Sequence, residues 1–306
     1  MLPAIRRFVP QYFCKSATNY TIICEELTLQ SSSFPFEEVE ELTERGAEAA
    51  VEFGEQIGFY NLTHLSVSVA TILARHRGEI RFFALEGLEP AVARALMKHE
   101  GFLDIRRMKS LNVDSARLLL QQMRGRGIIQ IPYVQELHVE EAAVLSEYGG
   151  ELQLHGLRSI SEEVAGVLSR LPGSLLLGKD VNIDVRIARH ISKVGCGLML
   201  CCPTLSDEVI HELAKPSYDL SLDGLTSLSL NAATSLSNHE GELFLDSLTS
   251  LTEEIAILLS KHRGSVFLTG MNNSFALSEA TKDALLNNPK FVLPNSWGVT
   301  NDSDVS

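Results

Sequence analysis

A phrase of about 23 residues recurs down this chain, and it limits the folds available more than any other feature. Its clearest copy is ELFLDSLTSLTEEIAILLSKHRG, Glu242 to Gly264, preceded by DLSLDGLTSLSLNAATSLSNHEG, Asp219 to Gly241. Earlier relatives begin at Glu79 and Glu151. A unit this short cannot enclose a core, so it must bury its apolar face against its neighbours.

Each copy reads as one strand and one helix. Leu243 and Leu245 alternate with Glu242, Phe244 and Asp246, the period of a strand. Thr252 followed by Glu253 and Glu254 marks a helix start, because a hydroxyl accepts an orphan N–H and acids favour the positive dipole end. Ile255, Ala256, Leu258 and Leu259 supply a buried helical face, and Gly264 closes the unit. Ser66, Ser161, Ser206, Ser229 and Ser278 stand where Thr252 stands. Ala70, Ala93, Ala116, Ala142, Ala165, Ala188 and Ala233 stand where Ala256 stands. The spacing slips between Leu111 and Leu137, around Arg124, Gly125, Arg126 and Gly127.

The pattern LxLxGLxxLxxxxAxxLxxHxG resembles the short bacterial leucine-rich repeat of planctomycete-type arrays, over roughly Leu27 to Leu293. The resemblance implies an α/β leucine-rich-repeat solenoid, a horseshoe with one parallel concave sheet and convex helices. On this reading 1–26 is an N-terminal cap, 27–294 the solenoid and 295–306 a flexible C-terminal tail.

Composition narrows the partners. The 306 residues carry a formal net charge of −13 and a pI near 5.2, which weighs against nucleic acid and anionic membranes. No apolar run reaches the length of a membrane span, and no secretory signal is legible. Five cysteines without regular spacing fit a reducing compartment, so the expected location is the cytoplasm.

Chemistry-bearing residues mostly follow the repeat. His76, His99, His239 and His262 occupy one repeat position near a helix end, which assigns them to capping. Acid pairs such as Glu162/Glu163 and Glu253/Glu254 mark helix starts. Cys196, Cys201 and Cys202 lack the ligand set that zinc needs. The sequence therefore predicts no catalytic residue, no metal and no cofactor, and a protein that is not an enzyme.

Specificity is expected at outward strand positions, which the repeat leaves free. The candidate partner-binding residues are Arg81, Phe83, Arg106, Leu176, Met199, Phe244 and Phe267. They predict a scaffold that binds a protein or peptide through the concave sheet. The rival readings are a self-associating structural solenoid and an effector-type protein with an enzymatic activity.

Overall fold

The computed structural model describes residues 13–16, 19–22, 39–53, 56–123, 127–271 and 277–294. Most of the expected cap, and all of the expected tail at 295–306, lie outside the described residues. The elements run β1 (Phe13–Ser16), β2 (Asn19–Ile22), β3 (Glu41–Leu42), α1 (Glu44–Val51), β4 (Gln56–Phe59), α2 (Val67–Leu73), β5 (Glu79–Phe82), α3 (Pro90–Leu96), β6 (Leu103–Asp104) and α4 (Val113–Met123). They continue with β7 (Ile128–Gln130), α5 (Val139–Leu145), β8 (Glu151–Leu154), α6 (Glu162–Leu168), β9 (Ser174–Leu177), α7 (Val185–Ile191), β10 (Gly197–Leu200) and α8 (Asp207–Leu213). The last are β11 (Asp219–Ser221), α9 (Leu230–Ser237), β12 (Leu243–Phe244), α10 (Glu253–Leu259), β13 (Val266–Phe267), α11 (Glu279–Leu286) and β14 (Phe291–Val292).

Local chemistry explains the units. Ser66, Ser161, Ser206, Ser229, Thr252 and Ser278 each accept a backbone N–H three residues on, as Val69 N to Ser66 Oγ at 3.2 Å. Asp184 does the same for Ile187 at 2.9 Å. Ala70, Ala93, Ala116, Ala142, Ala165, Ala188, Ala233 and Ala256 are all buried, so a small side chain lets each helix close on the strand layer. Inward strand residues, such as Ile80 and Phe82 or Leu243 and Leu245, are buried too. A fully buried side chain of this size contributes about 1.5–3 kcal/mol relative to its exposed state.

The expected horseshoe with one continuous sheet is not what forms. The described residues form two discrete parallel sheets, a three-stranded one in the order β4-β5-β6 and an eight-stranded one running β7 to β14 in chain order. A further three-stranded sheet pairs β1 with β2 antiparallel and β2 with β3 parallel. The chain divides into two compact units, Met1–Gln122 and Met123–Ser306. The leucine-rich-repeat resemblance and the solenoid class drawn from it are corrected accordingly. What stands is an α/β protein of repeated parallel strand–helix units in separate sheets. The division falls where the spacing slips. There α4 has 11 residues against seven in α3 or α5, and Gly127 takes a left-handed φ of 81° at the head of β7.

Within the eight-stranded sheet, neighbours pair in register, as Leu152↔Leu175, Leu175↔Leu198 and Leu243↔Val266. Beyond the strand ends a carboxylate ladder continues the order. Asp223 Oδ1 accepts from Asp246 N at 3.1 Å, and Asp246 Oδ1 accepts from Thr269 N at 2.8 Å and Thr269 Oγ1 at 2.7 Å. Each turn is thereby tied to the next by side chain rather than by ladder alone.

Candidate functional site

In the first unit, strand register sets three outward residues abreast, Gly58↔Arg81↔Asp104. The next outward positions along the same strands are Tyr60, Phe83 and Arg106, at the carboxyl ends of β4, β5 and β6. Parallel sheets of α/β proteins present their ligands at this end.

Each arginine here is held by a carboxylate two residues earlier on its own strand. Arg81 donates from Nε to Glu79 Oε1 at 2.8 Å and from Nη2 to Glu79 Oε2 at 3.1 Å. Arg106 donates from Nε to Asp104 Oδ1 at 2.9 Å and from Nη2 to Asp104 Oδ2 at 2.6 Å. Such forks fix a planar guanidinium in one orientation. Because both forks use Nε and Nη2, Nη1 points away from the carboxylate on each residue. Hydrogen bonding to its partner raises the pKa of each guanidinium. Burial pushes Asp104 upward, but the bonds and charge of Arg106 outweigh it, and the carboxyl ends below its ordinary value. Asp104 is buried, while the Arg106 side chain is 52% exposed.

Beside them the Tyr60 and Phe83 rings stack, with centroids 4.4 Å apart and planes 20° off parallel. Both rings lie over Gly58, where an added Cβ would meet Phe83 at 3.4 Å and Tyr60 at 3.6 Å. Tyr60 is 48% exposed. A flat aromatic platform thus adjoins two oriented guanidinium edges. That set can hold the ring and the anionic group of one molecule.

The eight-stranded sheet carries the other predicted residues. Leu176 and Met199 face each other in register on β9 and β10. Phe244 and Phe267 stack on β12 and β13 with centroids 4.3 Å apart. Ser221 separates the two pairs and donates to Asp223 Oδ2 at 2.6 Å. All four apolar residues are half-buried rather than fully exposed. The predicted set is therefore split, with Arg81, Phe83 and Arg106 on one sheet and the remainder on another. The expected single concave face does not exist, and the scaffold reading that depended on it falls with it.

Sequence reasoning missed Tyr60, Glu79 and Asp104 as members of the set. Their signal is the alternation Glu79-Ile80-Arg81 and Asp104-Ile105-Arg106, which puts an acid and an arginine on the same strand face. Elsewhere, burial pushes the Cys202 thiol up to about 11, and burial and then Asp223 raise Cys201, so neither is an activated nucleophile. Among the described residues no group of three or more His, Cys, Asp or Glu is placed to hold a metal ion.

No protein-family model matches the sequence, and no curated protein matches it. The expectation that the protein is not an enzyme is corrected as well. It rested on histidines and acid pairs falling at repeat positions, whereas repeated parallel strand–helix units in discrete sheets are an architecture on which enzymes are commonly built.

Proposed function

We propose that the protein binds and orients a small planar anion, an enzyme-type substrate site rather than a passive docking scaffold, at the carboxyl ends of β4, β5 and β6. The observation that carries the reading is the pair of carboxylate-held guanidinia beside the exposed Tyr60–Phe83 stack. Arg81 and Arg106 take the anionic end through their outward Nη1 edges, and Tyr60 and Phe83 take the flat ring. The forks set orientation in advance, so less rotamer entropy is lost on binding. Glu79 and Asp104 balance the two guanidinia, so what the set offers an anion is hydrogen-bond donors on the free edges rather than net charge. The chain's net charge of −13 leaves nucleic acid and anionic membranes outside the reading. A cytoplasmic location fits Cys196, Cys201 and Cys202, which are free thiols, and no helix among the described residues is long and apolar enough to cross a membrane.

The test is a titration with aromatic carboxylates and nucleoside monophosphates, against aliphatic carboxylates of equal charge, followed through tyrosine emission. Saturable binding of the aromatic anions is expected, weakened about tenfold in Tyr60→Ala and in Arg106→Gln. Equal response to aromatic and aliphatic anions, or none to either, rejects the site.

A second reading, self-association, is favoured by one observation. The Phe244–Phe267 stack runs on in register to Val292 of β14, the end strand of its sheet among the described residues, so an apolar column reaches the last described strand. Leu176 and Met199 lie beyond Ser221 at the same outward position. Sedimentation over a concentration series tests it, and a monomer at all concentrations rejects it.

A further inference from the structure

The two compact units each contain one stacked pair of buried imidazoles that the proposed site does not use. His76 and His99 stack with centroids 6.4 Å apart and planes 4° off parallel. His239 and His262 stack at 5.8 Å and 13°. All four are at most 3% exposed. Three of them reach across to the preceding repeat. Nδ1 of His76 lies 3.2 Å from Val51 O at the end of α1, that of His239 lies 3.1 Å from Ala214 O after α8, and that of His262 lies 3.0 Å from Leu236 O in α9. Nε2 of His76 and of His239 and both ring nitrogens of His99 are buried without a hydrogen-bond partner, whereas Nε2 of His262 lies 2.9 Å from Gly241 O.

We propose that these pairs form an acid-release device, in which protonation of the stacked imidazoles loosens the helix-end layer of each unit in mildly acidic solution. A neutral His76 or His239 needs only its Nδ1–H, which the carbonyl of the preceding repeat accepts. A proton added to a pair puts charge in a dry site one ring spacing from a second imidazole, and neither nitrogen of His99 has an acceptor for an N–H. Burial, and then the neighbouring His76, hold His99 below its ordinary value. Burial also lowers His262, and His239 and Lys290 act the same way, together outweighing the carbonyls of Gly241 and Leu236. Lys290 also donates to His262 O at 3.1 Å.

Several charges around the pairs are engaged with one another. Arg263 pairs with Glu240, Lys215 and Arg189 pair with Glu212, and Arg75 pairs with Glu48. Arg77, Glu52 and Glu100 are exposed. An imidazole with a depressed folded value binds fewer protons in the folded chain than in the unfolded one. The stabilisation it represents is therefore present above the ordinary 6.5 and is lost as pH falls below it. The loss begins near 6.5, above the ordinary carboxylate values of 3.8 and 4.5, so it sets in before general acid denaturation.

The chain itself supplies a neutral replacement, since Leu171 occupies the equivalent helix-end position and is buried there. The experiment melts the wild type, His76→Leu/His99→Leu and His239→Leu/His262→Leu at pH 7.5 and 5.0. The wild-type midpoint is expected to fall by about 5 °C or more, and each double variant to lose part of that fall. Ring titration of the wild type by proton NMR provides a readout that does not depend on the variants folding. His99 and His262 are expected to titrate below 6.5, together with loss of amide protection at the ends of α2, α3, α9 and α10. Titration at or above 6.5, or equal melting at both pH values, overturns the device.

Discussion

On β5 and β6 the outward positions hold Arg81, Asp104 and Arg106, while on β12 and β13 the corresponding positions hold Phe244 and Phe267. The inward positions of the same strands are interchangeable: Ile80 and Leu103 in one sheet, Leu243 and Val266 in the other, all buried. The repeat thus dictates the side of each strand that meets its helix and nothing on the opposite side. One sheet uses that freedom for ion pairs locked along single strands, the other for rings stacked between strands. The first arrangement is oriented and charged, and the second is apolar and extends to the last described strand.

The largest test of this contrast is directed at the part the two sheets share. Ala256→Glu places an unpaired carboxylate against the strand layer of the second unit and should cost about 3 kcal/mol or more. Ala93→Glu should do the same to the first unit. Chemical denaturation of the two variants, with separate probes in each unit, is expected to show each lesion confined to its own sheet. If both variants melt the molecule as one, the two units are not independent in stability.

Next in size is Arg106→Met. It leaves Asp104 buried without its partner, and because Arg106 is half exposed the cost is discounted to about 2 kcal/mol. In the wild type the depressed Asp104 contributes stability above the ordinary 3.8, lost as pH falls through its folded value. In the variant the unpaired carboxylate is the destabilising form, so the penalty measured by urea at pH 7 should shrink at pH 4. A penalty equal at both pH values would mean that packing, not charge, is what Arg106 supplies.

The apolar sheet answers with Phe244→Ala/Phe267→Ala. The rings are half-buried, so loss of their stack and burial should cost about 1.5 kcal/mol, with no change between pH 7 and 4. Smallest is Thr252→Ala, which removes the acceptor of Ile255 N and should cost about 1 kcal/mol, read as lower helix-end protection in α10. An equal loss from Arg106→Met and the double Phe change at both pH values would erase the distinction between the two surfaces.

Much of the local architecture was legible in the sequence. Serine and threonine caps, the buried alanines and the alternating strand leucines all follow from periods of 2 and 3.6, which a single copy displays. The break into two sheets was not. Its trace was only a slip of register near Gly125, read as a few extra loop residues, whereas the described chain there carries a longer α4 of 11 residues. The split of the predicted binding residues follows from that same break. Arg81 and Arg106 were identifiable as outward residues, but their carboxylate partners hold them through i,i+2 geometry that a column-by-column reading across repeats does not reveal. The histidine series was placed at helix ends correctly in position, but its bonds run to the preceding repeat, a contact between copies that no single copy encodes.

The glycines at the amino ends of the strands carry one more consequence. A methyl at Gly101 would collide with the carbonyl of Gly78, one at Gly173 with that of Gly150, and one at Gly264 with that of Gly241. At this edge successive main chains pass too close for a Cβ to stand between them. Side chains also cross the joint, as Glu242 N donates to Asp219 Oδ1 at 3.2 Å and Arg263 donates to Glu240 at 2.9 Å. The spacing between units at this edge is therefore set by an atom that is missing, the methyl that any other residue would bring. At the other edge it is set by atoms that are present, the carboxylates of Asp223 and Asp246.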